Sequence, residues 1–166
     1  MVEMLGVLAI IGVLSVGGIS GYSKAMAKYK LTKAQDQISM LLMNIRTAYA
    51  TMPNYSGLSN SIAVSYNIAP TDMIVGTSGI NHAFGGAVTV QAETLNSASN
   101  QYFSITLNNL GREACVSLAS SDWGTDGMYN MTVNGSAFPA SVIPRPMTGT
   151  NCGAKGSYST IKWIYY

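Results

Sequence analysis

The first 23 residues carry one charge, Glu3, and every other residue in this stretch is apolar, small or uncharged. The uncharged run 4–23 has about the 20 residues that a helix needs to cross a hydrocarbon core about 30 Å thick. It lacks the basic start and the small-residue cleavage site of a signal peptide, which indicates a retained anchor. We therefore predict a hydrophobic transmembrane helix over 1–23 and a globular head over 24–166.

An amphipathic pattern continues directly out of the apolar run. From Lys24 onward, apolar residues recur every three or four positions, and the charged residues fall on other faces of the helical wheel. The apolar positions are Leu31, Ala34, Ile38, Leu41, Leu42, Ile45, Ala48 and Tyr49. Because Pro53 cannot continue a helix, we predict an amphipathic helix over 24–52 that ends near Thr51 or Met52. Its apolar stripe requires a head to pack against.

The segment 2–15, VEMLGVLAIIGVLS, resembles the N-terminal segment of type IV pilins and of the pseudopilins of type II secretion. In that family a prepilin peptidase removes a short basic leader and methylates the new N-terminus. The family's glutamate then pairs with the terminal amine of a neighbouring subunit during filament assembly. The resemblance implies this role for Glu3, whose charge would cost up to about 2.5 to 3.5 kcal/mol inside a membrane without a partner.

Family members usually have two more residues before this glutamate than Met1 and Val2. We therefore expect the sequence to begin slightly inside the mature chain, or to have been trimmed, so that Met1 is not the methylated residue.

Among the glycines of the apolar run, Gly12, Gly17, Gly18 and Gly21 are unusual for a helix. An interior glycine costs a helix about 1 kcal/mol relative to alanine. Gly17 and Gly21 form a Gly-x-x-x-Gly face that suits close helix packing in lipid. Two interpretations stay open: simple close packing of neighbouring helices, or, by resemblance to pilin filaments, unwinding of 14–21 when the subunit leaves the bilayer.

Cys115 and Cys152 are the only cysteines. An even count in a chain with export features favours a disulfide over metal ligation or a reactive thiol. A zinc site lacks ligands, since His82 is the sole histidine. In type IV pilins a disulfide of this kind bounds a C-terminal surface region, so the resemblance implies that 116–151 is an exposed face of the filament.

The residues after Pro53 predict a mixed head. Segment 53–86 reads as a long loop with short elements, and 110–119 reads as a short amphipathic helix. Segments with alternating apolar residues or β-branched and aromatic content predict strands, and Asn134-Gly135 predicts a tight hairpin turn. The predicted strands are 87–91, 102–107, 128–133, 136–138 and 158–166, with a turn at 96–100.

The predicted fold class is therefore α+β. A long N-terminal helix packs on an antiparallel β-sheet head, which has a second short helix and a C-terminal disulfide-bounded region. Segment 110–124 also resembles the start of the disulfide-bounded region of type IVb pilins.

Catalytic and metal-binding patterns are weak in this chain. The acidic residues are scattered, and we find no Walker loop, no His-Glu-x-x-His and no Gly-x-Ser-x-Gly. His82 is interpreted as a loop or packing residue. Asp122 and Asp126 could line a calcium loop, but their spacing fails the EF-hand pattern and a simple turn is favoured. No enzyme activity and no cofactor are predicted.

Charge excludes a nucleic-acid-binding role of the usual kind. Only 10% of residues are charged and the net charge is +2, so the clustered basic face that nucleic acid requires is missing.

The resemblance thus implies a structural subunit that polymerises into a type IV pilus at the bacterial surface, with the hydrophobic helix 1–23 in the filament core. Its implied partners are identical subunits, the inner membrane before assembly, the pilus assembly machinery and the prepilin peptidase. One alternative is a type II secretion pseudopilin, which the cysteine pair and the Gly/Ser-rich tail disfavour. Another is a membrane-anchored periplasmic binding protein, in which Glu3 is incidental.

Overall fold

The computed structural model describes residues 2–124, 126–142 and 151–166, with the side chains of 2–20 and of 142 outside that description. A single helix, α1 (Val2–Ala48), begins the chain and has 47 residues. At 1.5 Å per residue this helix is about 70 Å long, which is far longer than the head needs.

Helix α1 ends at Ala48, a few residues before the predicted Thr51 or Met52. Beyond it, the amides of Ala50 and Met52 donate to carbonyls only three residues back, at 3.3 and 3.0 Å. Such bonds tighten the last turn of a helix and satisfy carbonyls that have no helical partner. The chain therefore leaves the helix through a short turn before it reaches Pro53.

The segment between α1 and the main sheet contains short elements, as predicted. They are α2 (Asn60–Ser65), a single 3-10 turn (Thr71–Met73), β1 (Ile74–Val75) and β2 (Gly79–Ile80). The hydroxyl of Ser59 caps α2 by accepting from the amide of Ile62 at 3.3 Å. Strands β1 and β2 form a minimal antiparallel pair.

The head is built on a five-stranded antiparallel sheet with the order β3-β4-β7-β5-β6. The strands are β3 (Val88–Leu95), β4 (Ala98–Leu110), β5 (Met128–Val133), β6 (Ser136–Pro139) and β7 (Ser159–Tyr165). A further helix, α3 (Arg112–Ala119), joins β4 to the segment before β5 and lies within the predicted 110–119. The last strand, β7, is at the centre of the sheet.

Two hairpins close on the turns that the sequence indicates. Asn134 and Gly135 both have positive φ, at 48° and 88°, and connect β5 to β6 as predicted. The first hairpin is longer than predicted, because β3 and β4 continue to the two-residue turn at Asn96 and Ser97, with φ of 51° and 65°.

The core lies between α1 and the inner face of the sheet. Ala34, Ile38, Leu41 and Ile45 recur on one face of α1 and are all fully buried. They belong to one contiguous cluster with the inward side chains of β4 and β7. Those side chains are Phe103, Ile105, Leu107, Ile161, Trp163 and Tyr165. Burying a large apolar side chain contributes about 1.5 to 3 kcal/mol, so this layer fixes the predicted α+β arrangement.

Candidate assembly surface

Helix α1 has two environments. Between Leu31 and Tyr49 one of its faces is buried in the head, whereas 21–30 is exposed apart from the half-buried Met26. The described helix therefore projects from the head at its N-terminal end. The division between 1–23 and 24–166 remains a prediction, which rests on the change from apolar to polar residues along this helix.

Polar contacts fix how α1 is rotated against the head. Gln37 is buried, and its Nε2 donates to Oδ2 of Asp72 at 2.7 Å. Lys33 Nζ lies 3.7 Å from the same oxygen. Nearer the end of the helix, Asn44 Nδ2 donates to the carbonyl of Ile68 at 2.8 Å. Since these bonds hold one side of α1 to the 3-10 turn and its neighbours, they also determine which side faces outward.

The outward side carries large apolar residues. Tyr22, Tyr29, Met40 and Met43 have 67%, 60%, 54% and 68% of their surface exposed. At 100° per residue they lie within about 60° of one another on the wheel, in a sector that also contains the exposed Asp36. We call these four residues the outer stripe. They make this side of α1 the candidate surface for contact with another molecule.

The predicted assembly and melting residues lie on the same helix. The backbone is helical from Val2 onward, which includes Glu3, Gly12, Gly17 and Gly18. The contacts of these four fall outside the described side chains, so their roles remain predictions. Gly21 is exposed, and a Cβ placed there would meet nothing within 4 Å.

Among the residues whose side chains are described, no helix is long and apolar enough to cross a membrane. The predicted span 1–23 falls mainly outside that set.

The predicted disulfide is confirmed. Cys115 and Cys152 are bonded with an S–S distance of 2.02 Å, and both are buried. The bond ties α3 to the segment just before β7. Beside it, Arg112 Nη1 donates to the carbonyl of Gly153 at 3.0 Å.

The region enclosed by the disulfide is more than an exposed face. Of 116–151, residues 125 and 143–150 are outside the description, but the rest includes all of β5 and β6. Strand β5 pairs with β7 on one side and β6 on the other, and its Met131 and Val133 are fully buried. The implied surface region therefore also supplies part of the sheet and core.

Asp122 has a turn contact, in line with the favoured interpretation. Its Oδ1 accepts from the amide of Gly124 at 2.9 Å, and Gly124 has a φ of 72°. Asp126 is exposed. The described part of the chain contains no group of three or more histidine, cysteine or acidic side chains placed to hold a metal ion.

His82 packs inside the head. It is 3% exposed; its Nδ1 accepts from the amide of Phe84 at 3.2 Å, so its Nε2 carries the proton and donates to the carbonyl of Asn108 at 2.7 Å. Burial lowers the pKa of His82, while the bond to Asn108 acts in the opposite direction. A Cβ at Gly86 would collide with this carbonyl and this ring. The packing role predicted for His82 is confirmed.

An ion pair on the sheet was missed by the sequence analysis. Glu93 Oε1 lies 2.5 Å from Lys162 Nζ and accepts from Ser104 Oγ at 2.7 Å. Burial acts to raise the pKa of Glu93, but hydrogen bonds from Lys162, Gln91 and Ser104 outweigh it and lower that pKa. Glu93 lies beyond the predicted end of its strand, and nothing local in the sequence places β7 near β3.

Known proteins resemble this chain in sequence and in structure. The family described as PilS N terminal matches residues 28–165. The major structural subunit of bundle-forming pilus from Escherichia coli O127:H6 (strain E2348/69 / EPEC) is 28% identical over 137 residues, or 81% of this chain and 70% of that protein.

Two solved structures share the fold. The crystal structure of type IV b pilin from Salmonella typhi has a TM-score of 0.56 at 21% identity, covering 83% of this chain and 97% of that one. The crystal structure of TcpA, a type IV pilin from Vibrio cholerae El Tor biotype, has a TM-score of 0.54 at 17% identity, covering 83% and 99%.

Proposed function

The chain belongs to the PilS N-terminal family and is a type IVb-like pilin, and from this membership we propose that it polymerises into a cell-surface pilus through α1. Its role is structural and not enzymatic. The observation that carries the proposal is the division of α1 into a face locked into the head and an outer stripe left exposed. A relative in the comparison is itself a major structural subunit of a pilus.

The driving force is continuous burial of the apolar helix. Before assembly the segment 1–23 lies in the inner membrane, and after assembly it lies in a bundle of identical helices. Its apolar surface is therefore covered by lipid first and by protein afterwards, so extraction into water is avoided. A contact between different surfaces of identical subunits does not close on itself, which lets one chain build a filament of indefinite length.

In this proposal, Glu3 determines where each new subunit is placed relative to its neighbour. A carboxylate in an apolar bundle is strongly disfavoured unless an opposite charge neutralises it. The terminal amine of the neighbouring subunit is the partner that family resemblance implies, after a prepilin peptidase has removed the leader and the assembly machinery has extracted the subunit. Correct placement of each new subunit then coincides with neutralisation of Glu3.

The glycines contribute to packing in the bundle. Gly17 and Gly21 are four residues apart, so they share one face and allow close approach of a second helix. In the filament the same cluster, with Gly12 and Gly18, lowers the cost of unwinding 14–21, since each glycine already destabilises the helix by about 1 kcal/mol.

The test is filament yield from cells that produce the Glu3→Ala variant. Material sheared from the cell surface is imaged by electron microscopy, and the subunit is identified by mass spectrometry. We expect the variant to give at least about tenfold fewer filaments than the wild type, the equivalent of only about 1.4 kcal/mol per assembly step.

The matched control is Glu113→Ala, which removes an exposed carboxylate at the start of α3. It should leave filament yield unchanged, and immunoblots should find both variants in the envelope at the wild-type level. Normal yield from Glu3→Ala would refute the role of Glu3. Absence of filaments from wild-type cells would refute polymerisation itself and favour a pseudopilin or an anchored binding protein.

A further inference from the structure

Lysines are concentrated in and next to the part of α1 that projects from the head. Of the 9 lysine and arginine residues in the chain, four lie within the segment 24–33, at Lys24, Lys28, Lys30 and Lys33. After Glu3, the first acidic residue in the sequence is Asp36, which follows all four lysines. This segment therefore has a strong local positive charge, although the net charge of the whole chain is only +2.

Three of these lysines have no ion-pair partner among the described residues. Lys24, Lys28 and Lys30 are exposed, and their ammonium groups make no described ion pair or hydrogen bond. Lys33 differs, because its Nζ lies 3.7 Å from Oδ2 of Asp72. The ammonium groups at 24, 28 and 30 are thus available to an anion from outside the subunit.

Repulsion between two of these lysines is not offset by a described ion pair. Lys24 and Lys28 are four residues apart, a spacing at which like charges destabilise a helix. Glu113 lines a small cleft together with Lys28, but the two side chains form no described ion pair. An anion bound between the two lysines would remove the repulsion.

The three lysines surround the helix instead of lining one face. Measured from Tyr22 at about 100° per residue, Lys24, Lys28 and Lys30 lie at about 200°, 240° and 80° around the axis. Tyr22 and Tyr29, at about 0° and 340°, occupy the remaining sector and are 67% and 60% exposed. We call these five residues the collar. A helix that lies along a surface has its polar residues on one face, whereas a collar fits a helix that passes through a charged layer.

The position of the collar along the chain matches the edge of a membrane. The collar begins within the last residues of the uncharged run 4–23, whose length suits a membrane span. From Tyr22 to Lys30 it extends over about 12 Å of the helix axis. The headgroup layer on each side of a bilayer is about 5 to 8 Å thick, so the collar reaches across it. Tyrosines concentrate at this level of membrane proteins, and lysines next to a span attract anionic lipids.

We propose that the collar binds the headgroups of anionic phospholipids around the subunit before it is assembled. The lipid phosphates pair with the ammonium groups of Lys24, Lys28 and Lys30, and the rings of Tyr22 and Tyr29 lie at the boundary between headgroups and hydrocarbon. A zwitterionic headgroup has a positive group beside its phosphate and offers the lysines no net charge. The inference rests on the proposed function, because it requires that 1–23 lie in the membrane before assembly.

The test uses the full chain in phosphatidylcholine vesicles that contain a trace of spin-labelled lipid. Electron paramagnetic resonance separates lipid held against the protein from free lipid, so labelled phosphatidylglycerol can be compared with labelled phosphatidylcholine. We expect the wild type to associate with the anionic lipid at least about fivefold more strongly, which is the effect of a single lysine at an anionic membrane. Inorganic phosphate, added at constant ionic strength, should leave this preference unchanged. If it abolishes the preference, the lysines bind free phosphate and the proposal is wrong.

Substitution of the lysines should remove the preference. The triple variant Lys24→Gln, Lys28→Gln, Lys30→Gln should hold the two lipids equally, to within about twofold. Glutamine forms helices about as well as lysine, so α1 should stay helical, and circular dichroism checks this. The single variant Lys24→Gln should lower the preference. Its matched control, Lys155→Gln, loses the same charge on an exposed turn of the head and should keep the wild-type preference.

The same spectra distinguish a failure of this inference from a failure of the proposed function. If the wild type holds neither lipid, the chain is not in the membrane, and the membrane stage of the proposed function is refuted together with the collar. If the wild type holds both lipids equally, or if the triple variant keeps the full preference, only the lipid inference is wrong. Loss of sheared filaments from the triple variant in that case would assign the lysines to acidic groups of neighbouring subunits.

Discussion

At the scale of single residues, His82 joins the loop before β3 to the end of β4 through its bond to the carbonyl of Asn108 at 2.7 Å. Burial lowers its pKa in the folded chain below the ordinary value of 6.5. The unfolded chain therefore binds more protons than the folded chain in the window between the two pKa values. Stability rises with pH through that window, is fully present above about pH 6.5, and is lost as the pH falls through the folded pKa.

We predict that His82→Gln removes this pH dependence. Glutamine can still donate to Asn108 but does not titrate, so its contribution stays constant. Chemical denaturation at about pH 7.5 and about pH 5.5 should show a loss of stability on acidification for the wild type, with about 1.4 kcal/mol available per unit of pKa depression, and little loss for the variant.

The titration of Glu93 does not interfere with this experiment. The pKa of Glu93 is lowered, so Glu93 affects stability only below its ordinary pKa of 4.5, which is below both chosen pH values. Equal pH dependence of the wild type and His82→Gln would show that another group titrates there.

At the scale of elements, the disulfide is the covalent tie between α3 and the segment that precedes β7. It closes a loop with a sequence separation of 37 residues. We predict that the double variant Cys115→Ser with Cys152→Ser is less stable than the oxidised wild type by about 4 kcal/mol, chiefly because the unfolded chain regains entropy. Urea denaturation at equal protein concentration measures the difference.

Reduced wild-type protein is the matched control for the disulfide prediction, because it loses the bond and keeps both sulfur atoms. It should unfold at nearly the same urea concentration as the double variant. A difference below about 1 kcal/mol between oxidised and reduced protein would show that the rest of the head already restrains this loop.

Elements defined by a local pattern were predictable from the sequence. The three- and four-residue spacing of Ala34 to Ile45 gave α1 its buried face, and Asn134-Gly135 gave the second hairpin its turn. The central place of β7 was not predictable, because strand order depends on contacts between distant segments. The extension of β4 into 98–101 was also missed, since that stretch is polar and its pairing with β3 decides its conformation.

Beyond the elements themselves, the disulfide was predictable from the sequence and the cleft around Arg46, at the C-terminal end of α1, was not. The chain has only two cysteines, which predicts their pairing. The cleft is lined by residues from 46–55, 101–102, 129 and 166. Only the fold brings these four segments together, and no spacing in the sequence marks them as neighbours.

At the scale of the whole molecule, α1 serves two structures at once. Its inner face completes the core of the head, and its outer stripe is available to neighbouring subunits. The two faces should therefore respond differently to substitution. Ile38→Ala leaves a cavity in the core and should destabilise the head by about 2 to 5 kcal/mol. A change on the outer stripe should leave folding within about 0.5 kcal/mol of the wild type.

We therefore predict that Met43→Asp impairs filament formation without unfolding the head. Met43 is 68% exposed in the subunit, but packing against a neighbour would bury the new carboxylate without a partner, which is strongly unfavourable. The matched control is Tyr158→Asp, which introduces the same charge at a site that is 73% exposed, just before β7 and not part of α1. Sheared filament yield should fall for Met43→Asp and not for Tyr158→Asp, while both melt as the wild type does. If both variants form filaments normally, the outer stripe faces solvent in the pilus, and subunit contact is confined to the part of α1 that precedes it.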